Sequence, residues 1–178
     1  CLIGEIRDEE TALIAMQASL TGHLVLSTLH TNDAPSAFSR LRDIGIEPYL
    51  IAATLRLVIA QRLIRLICPR CRQETTPTDE QRAALEAVCP ETRHWTFYRG
   101  KGCDACGHTG YRGRQAVFEF LEVTTPIREL IVRRASDVEM RETAIRLGME
   151  TLVRNSLRKL ERGVTTIEEA MAIWPTEG

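Results

Sequence analysis

His23-Leu24-Val25-Leu26-Ser27-Thr28-Leu29, followed at once by the polar corner His30-Thr31-Asn32-Asp33, is the stretch on which the fold turns. An almost continuously apolar run of this kind reads as a strand covered on both faces, which is the signature of a parallel sheet. Working outward, Cys1-Leu2-Ile3-Gly4 reads as the tail of another buried strand. Between the two, Asp8 offers an N-cap, and Glu9 and Glu10 fall in a first turn where the helix dipole favours negative charge. A helix is expected from Glu9 to Ser19, with Gly22 as its stop. On the other side, Asn32 or Asp33 can cap a second helix, Pro35 fits its first turn and Gly45 sits where it should end. Strand, helix, strand, helix predicts a right-handed α/β layer.

The remainder divides by texture. Leu50 to Ile67 is the longest apolar stretch, but Arg56, Gln61, Arg62 and Arg65 would be costly inside a bilayer, so it reads as an amphipathic helix of a soluble protein. From residue 68 to 114 paired cysteines, prolines, glycines and aromatics dominate, with one helix expected over Asp79–Val88. Gln115–Val123 reads as a strand. Helices are then expected over Pro126–Arg134, Val138–Leu147, Glu150–Arg162 and Ile167–Ile173. Their punctuation is Thr125 before Pro126, Asp137 as N-cap, Gly148 and Gly163 as stops, and a Thr165-x-x-Glu168 capping box. Three regions follow: an α/β core at 1–67, a cysteine-rich subdomain at 68–114, and a strand with a helical region at 115–178. A formal net charge of −1 with 26% charged residues gives no global attraction to nucleic acid or anionic membrane. The first residues carry no basic flank and apolar core of a signal peptide, and the chain reads as starting inside a structural element, that is, as a fragment.

Cys68-Pro69-Arg70-Cys71 and Cys103-Asp104-Ala105-Cys106 form two CxxC knuckles 31 residues apart. Each presents two thiolates, and together they complete a tetrahedral four-sulfur shell for one Zn²⁺ with no open position for water. Such an ion is structural. The rival is a disulfide framework, which needs an oxidising compartment and sits oddly beside Cys1 and Cys89. His108, two residues after Cys106, is an alternative ligand or a plain loop histidine.

In parallel sheets ligands collect at the carboxyl ends of strands. Glu5, Arg7 and Asp8 follow the first expected strand; His30, Thr31 and Asn32 follow the second. If those strands are neighbours, a carboxylate and an imidazole share one rim, which suits water activation and sensing of a terminal phosphate. Position alone also allows ordinary roles: Glu5 as a surface acid, Asp8 as an N-cap, His30 as a hydrogen-bonded loop residue.

Longer motifs add to this. Gly4-Glu5-Ile6-Arg7-Asp8 with Glu10-Thr11-Ala12, and Thr21-Gly22-His23 through His30-Thr31-Asn32-Asp33-Ala34, resemble the Walker B and histidine boxes of the secretion ATPase superfamily. Ala60-Gln61-Arg62-Leu63, Gly110-Tyr111-Arg112-Gly113-Arg114 and Gly163-Val164-Thr165-Thr166-x-Glu168-Glu169 continue the likeness over nearly the whole chain. The resemblance implies the C-terminal part of a RecA-like parallel-sheet ATPase domain with a tetracysteine zinc subdomain and a helical C-terminal region. It implies Glu5 as the glutamate that polarises the attacking water and His30 as the γ-phosphate sensor. Arg7, Asp8 and His23 become candidates for nucleotide contact, Arg62 a candidate for nucleotide or interface contact, and Cys68, Cys71, Cys103 and Cys106 the zinc ligands. Structural Zn²⁺, with ATP and Mg²⁺ in the parent, are the implied cofactors. A hexamer at the cytoplasmic face of the inner membrane, working with the platform and cytoplasmic-domain partners of a secretion or pilus machine, is the implied assembly.

The tetracysteine insertion is typical of type II secretion and many type IV pilus assembly ATPases, and Ala18-Ser19-Leu20-Thr21 with Arg40–Pro48 resembles the secretion branch more. Asn155-Ser156 and Ile44 depart from the family's usual Asp-Gly and Met. No stretch resembles the phosphate-binding GxxxxGK followed by Ser or Thr, so the chain is expected to hold half of an active site and to hydrolyse no ATP alone. A zinc-ribbon nucleic-acid module is the competing reading, from a local excess of ten basic over six acidic residues between Arg62 and Arg114. It leaves the α/β region and His30 unexplained, and no nucleic-acid partner is expected. A docking module without chemistry is a third.

Overall fold

The computed structural model describes residues 1–174. It is a mixed α/β chain that folds as two compact units, each built from two separate segments.

The first unit comprises Cys1–Ala60 and Glu119–Glu150. Its two leading extended segments pair in parallel at Leu2 and Leu26. The Ile3 amide donates to the Leu26 carbonyl at 2.9 Å and the Ile6 amide to that of Thr28 at 3.0 Å. The Thr28 hydroxyl adds a bond to the Gly4 carbonyl at 2.8 Å. The segments are thus neighbours, as the rim reading requires, but they are not covered on both faces. Leu2, Leu24 and Leu26 are exposed, whereas Ile3, Val25 and Leu29 are half-buried.

Helix α1 (Glu9–Leu20) starts where expected, with the Asp8 carboxylate accepting from the Thr11 amide, and buries Ala12, Ala15 and Met16. Helix α2 (Ser36–Asp43) buries Ala37, Phe38 and Leu41. Of the two candidate caps it is Asp33 whose carboxylate accepts from the Ser36 amide, at 2.9 Å. Helix α3 (Pro48–Thr54) buries Ile51 and Ala52. The later segment supplies α5 (Thr125–Val132) and α6 (Asp137–Arg146), whose Ile127, Leu130, Ile131 and Met140 are buried in the same unit.

The stretch Leu50–Ile67 is not one amphipathic helix. It ends its helical course at Thr54, turns extended at Leu55, and continues as strand β1 (Leu57–Ile67). Val58, Ile59, Ile64 and Ile67 are β-branched and favour the pleated surface. Strand β1 pairs with β4 (Tyr111–Glu122).

The second unit comprises residues 61–118 and the chain from Thr151 onward. Strands β2 (Arg72–Thr75) and β3 (Phe97–Gly100) pair antiparallel with Arg72 opposite Gly100. Helix α4 (Asp79–Val88) lies where expected and carries a capping box between Thr78 and Gln81. Helices α7 (Leu152–Glu161) and α8 (Ile167–Met171) pack Leu157, Leu160, Ile167 and Ala170 against Leu85, Cys89 and Phe97.

Three helix starts differ from expectation by one residue. Thr124, not Thr125, is the N-cap of α5, without a side-chain bond. Ser136, not Asp137, caps α6 by accepting from the Glu139 amide. Thr166, not Thr165, caps α8 by accepting from that of Glu169. Thr165 is fully buried and donates instead to the Arg65 carbonyl at 2.8 Å. Among the described residues no helix is long and apolar enough to cross a membrane.

Candidate functional site

The parallel pairing brings the two polar corners together. His30 Nε2 lies 2.8 Å from Glu5 Oε2, and Arg7 Nη2 lies 2.5 Å from Glu5 Oε1. The carboxylate is about one-third exposed and the imidazole is open to solvent. The His30 hydrogen bond, then that of Arg7, hold the Glu5 carboxyl below its ordinary pKa. An ionised carboxylate beside a hydrogen-bonding imidazole, both reachable from solvent, can orient and deprotonate water.

Asp8 also falls below its ordinary value, first because the Thr11 amide and hydroxyl donate to it. Its carboxylate is engaged as the α1 N-cap. His23 is turned toward the end of α1, with Nδ1 3.0 Å from Thr21 Oγ1 and 3.3 Å from the Ala18 carbonyl. Arg62 lies exposed on β1 in the second unit.

The segment after His30 is firmly tied. Asp33 accepts from the Ser36 hydroxyl at 2.6 Å as well as its amide, and pairs with Arg141 of α6. Burial raises the Asp33 carboxyl, but the Ser36 donors and Arg141 outweigh it and leave it below the ordinary value. One residue on, the Ala34 amide donates to the buried Glu119 carboxylate at 2.9 Å. Glu119 was not singled out from sequence. Strand alternation could have found it, since Val117, Glu119 and Leu121 share the buried face of β4.

In the second unit the four expected cysteines converge, with all four Sγ atoms within 4.8 Å of one another. The distances Cys68–Cys103, Cys71–Cys106 and Cys103–Cys106 are 4.0, 3.9 and 3.8 Å. A tetrahedral ion with Zn–S bonds of about 2.3 Å needs sulfurs about 3.8 Å apart, so the donor set fits Zn²⁺. A disulfide would need about 2.05 Å, and all six cysteines are free.

Two of the four thiols are shifted, in opposite directions. The Cys103 and Gly110 amides donate to Cys106 Sγ at 3.2 and 3.3 Å, and the thiol falls to about 6, chiefly through the Cys103 amide. Desolvation pushes Cys71 up to about 11. His108 is not part of the cluster; its Nε2 lies 3.1 Å from Asp104 and the ring is exposed. Gly100 and Gly110 let the backbone close around the site, since a Cβ on Gly100 would stand 2.0 Å from the Gly110 carbonyl oxygen.

Some of the local basic excess is already committed. Arg65 donates to Glu169 at 2.7 and 2.9 Å and lies over the Tyr111 ring. Arg72 stacks on Tyr98 at 3.7 Å.

Comparison with known proteins places this geometry. Residues 1–172 match the family model described as type II/IV secretion system protein. The chain is 49% identical over 172 residues to a type IV pilus assembly ATPase, PilB, of Myxococcus xanthus, covering 96% of this chain and 30% of the relative. It is 46% identical over 172 residues to the type II secretion system ATPase E of Vibrio cholerae, covering 97% of this chain and 34% of the relative. The chain therefore spans about a third of the length of these relatives. Among solved structures it superposes on the pilus retraction motor PilT with bound ADP at a TM-score of 0.65 and 25% identity, over 99% of this chain and 39% of that one. The Legionella pneumophila ATPase DotB shares the fold at a TM-score of 0.61, over 97% of this chain and 37% of that one. A match to that family's model over residues 1–172 shows that the chain belongs to the type II/IV secretion system protein family.

Proposed function

We propose that the chain is the C-terminal part of a hexameric ATPase that works at the cytoplasmic face of the inner membrane and couples ATP hydrolysis to type II secretion or type IV pilus assembly. The observation that carries the reading is the 2.8 Å contact between His30 and Glu5 at the ends of two parallel segments. Glu5, ionised and held by Arg7, accepts a proton from the water that attacks the terminal phosphate of Mg²⁺-bound ATP. His30 can donate a hydrogen bond to a phosphate oxygen and return to Glu5 when the phosphate leaves, so the imidazole has two arrangements separated by one chemical step. Arg7, Asp8 and His23 are assigned to the surroundings of the nucleotide, with Asp8 and His23 acting through the ends of α1, and Arg62 to nucleotide or interface contact on its own unit. Cys68, Cys71, Cys103 and Cys106 hold one structural Zn²⁺, which staples the second unit and takes no part in hydrolysis. Partners are further copies of the chain and the membrane platform and cytoplasmic proteins of the machine. The chain by itself does not turn over ATP, because the phosphate cradle is not in its sequence.

The test uses the full-length protein. His30→Ala should leave the melting temperature and ADP affinity unchanged and lower ATP turnover by at least about tenfold, the low end of what a positioned proton-transfer or hydrogen-bonding group contributes. A variant with normal turnover and a lowered melting temperature would make His30 a loop anchor and remove it from the mechanism.

A further inference from the structure

The carboxylate of Glu119 stands out because, among the described residues, it is the acidic side chain taken fully out of solvent, at 1% exposure. An isolated buried carboxylate is costly, whereas an aliphatic side chain on the same strand face would fill the space without that cost. One of its hydrogen bonds reaches far along the chain. Oε1 accepts the Ala34 amide at 2.9 Å, across 85 residues of sequence. Ala34 is itself fully buried and, with Pro35, lies between the capping residue Asp33 and the first residue of α2, Ser36. The acid therefore sits where the free amides and dipole of that helix favour negative charge.

The amide it grips is four residues after His30, and Asp33, the last of the three residues between, is tied to Arg141 of α6. The segment leaving His30 is thus fixed to two different elements while the imidazole itself is 78% exposed. An exposed side chain on an untethered segment would sample many positions, and the 2.8 Å contact with Glu5 would form only part of the time. We propose that Glu119 is a positioning residue for His30, acting through the Ala34 amide to hold the segment that presents the imidazole to Glu5. This rests on the reading of Glu5 and His30 as the hydrolytic pair.

The test is steady-state ATP turnover of the full-length protein as wild type, Glu119→Gln and Glu119→Met, each with and without His30→Ala. Glu119→Gln keeps an oxygen that can accept from Ala34 and should stay within about threefold of wild type, whereas Glu119→Met should lower kcat about tenfold with KM for ATP within about twofold. With His30 already replaced, Glu119→Met should have almost no further effect, since two residues acting through one group are not additive. A Met variant with wild-type kcat, or one that loses the same factor with and without His30, overturns the proposal. A wild type that hydrolyses no ATP overturns the underlying ATPase reading instead. Should the Met variant fail to fold, amide exchange decides: the Ala34 amide should exchange as slowly as the core of its unit in wild type and Glu119→Gln, and rapid exchange in wild type overturns the proposal.

Discussion

One methyl group placed at Gly100 should cost the second unit more than any helix-surface substitution. The Cβ would stand 2.0 Å from the Gly110 carbonyl oxygen and 2.6 Å from its carbonyl carbon and Cα. Ordinary contact begins near 3.4 Å, so the two backbones must part by more than an ångström. Both are committed. Gly100 closes the β2–β3 ladder opposite Arg72, the Gly110 carbonyl accepts from the Cys68 amide at 2.9 Å, and the Gly110 amide donates to Cys106 Sγ. Overpacking alone costs about 1–3 kcal/mol, and two hydrogen bonds add about 1 kcal/mol each. The expected destabilisation is therefore roughly 3–5 kcal/mol, with weaker zinc retention because the moved backbone serves two of the four cysteines. Gly107→Ala is the control: its φ is +58 but open space surrounds it, so only the left-handed backbone is strained, at about 1 kcal/mol. Urea unfolding with zinc present, alongside metal stoichiometry, measures both. If Gly100→Ala costs no more than Gly107→Ala and keeps its zinc, the close-approach argument is wrong.

Elemental analysis of the reduced chain should find one zinc per chain, and Cys103→Ser should lose it, because a three-sulfur shell no longer closes; absence of zinc from the wild type refutes the assignment. Chelation should unfold the second unit's knuckles while leaving the first unit's helices intact, seen as loss of amide protection confined to residues 61–118 and those after Thr151. Arg141→Met should destabilise the first unit by about 1–2 kcal/mol, the usual worth of a partly buried charge-assisted hydrogen bond. Because the folded Asp33 carboxyl lies below its ordinary value, this stabilisation is complete above the unfolded aspartate value of about 4 and is lost as pH falls through the folded one. The gap between wild type and variant should therefore close in acid, and a gap constant from pH 7 to pH 3 would contradict the pairing.

Much of this was legible because single residues decide local structure. Asp8 caps α1 as read, and CxxC spacing brings four sulfurs together without knowledge of the intervening fold. The adjacency of Glu5 and His30 needed one assumption, that two apolar runs are neighbours. The misreading of Leu50–Ile67 has a specific cause: the buried residues of β1 are Ala60, Ile64 and Ile67, at spacings of four and three that a helix also produces. Only pairing with a strand some fifty residues later separates the two, and pairing is not a local property. The one-residue slips at Ser136 and Thr166 arise where two capping residues adjoin and tertiary contacts choose between them. Thr165 is taken by the Arg65 carbonyl and leaves the cap to its neighbour. Glu119 was hidden in an apolar strand, where its acid reads as surface until the alternation of Val117 and Leu121 is followed.

The central claim is that Glu5 activates water for ATP hydrolysis. Its most direct test is ATP turnover by the full-length protein and its Glu5→Gln variant, with nucleotide affinity measured on both. The account predicts unchanged ATP affinity and a kcat lowered by roughly two to four orders of magnitude, the range for loss of a positioned base. A Glu5→Gln enzyme that binds ATP and hydrolyses it at close to the wild-type rate would contradict it.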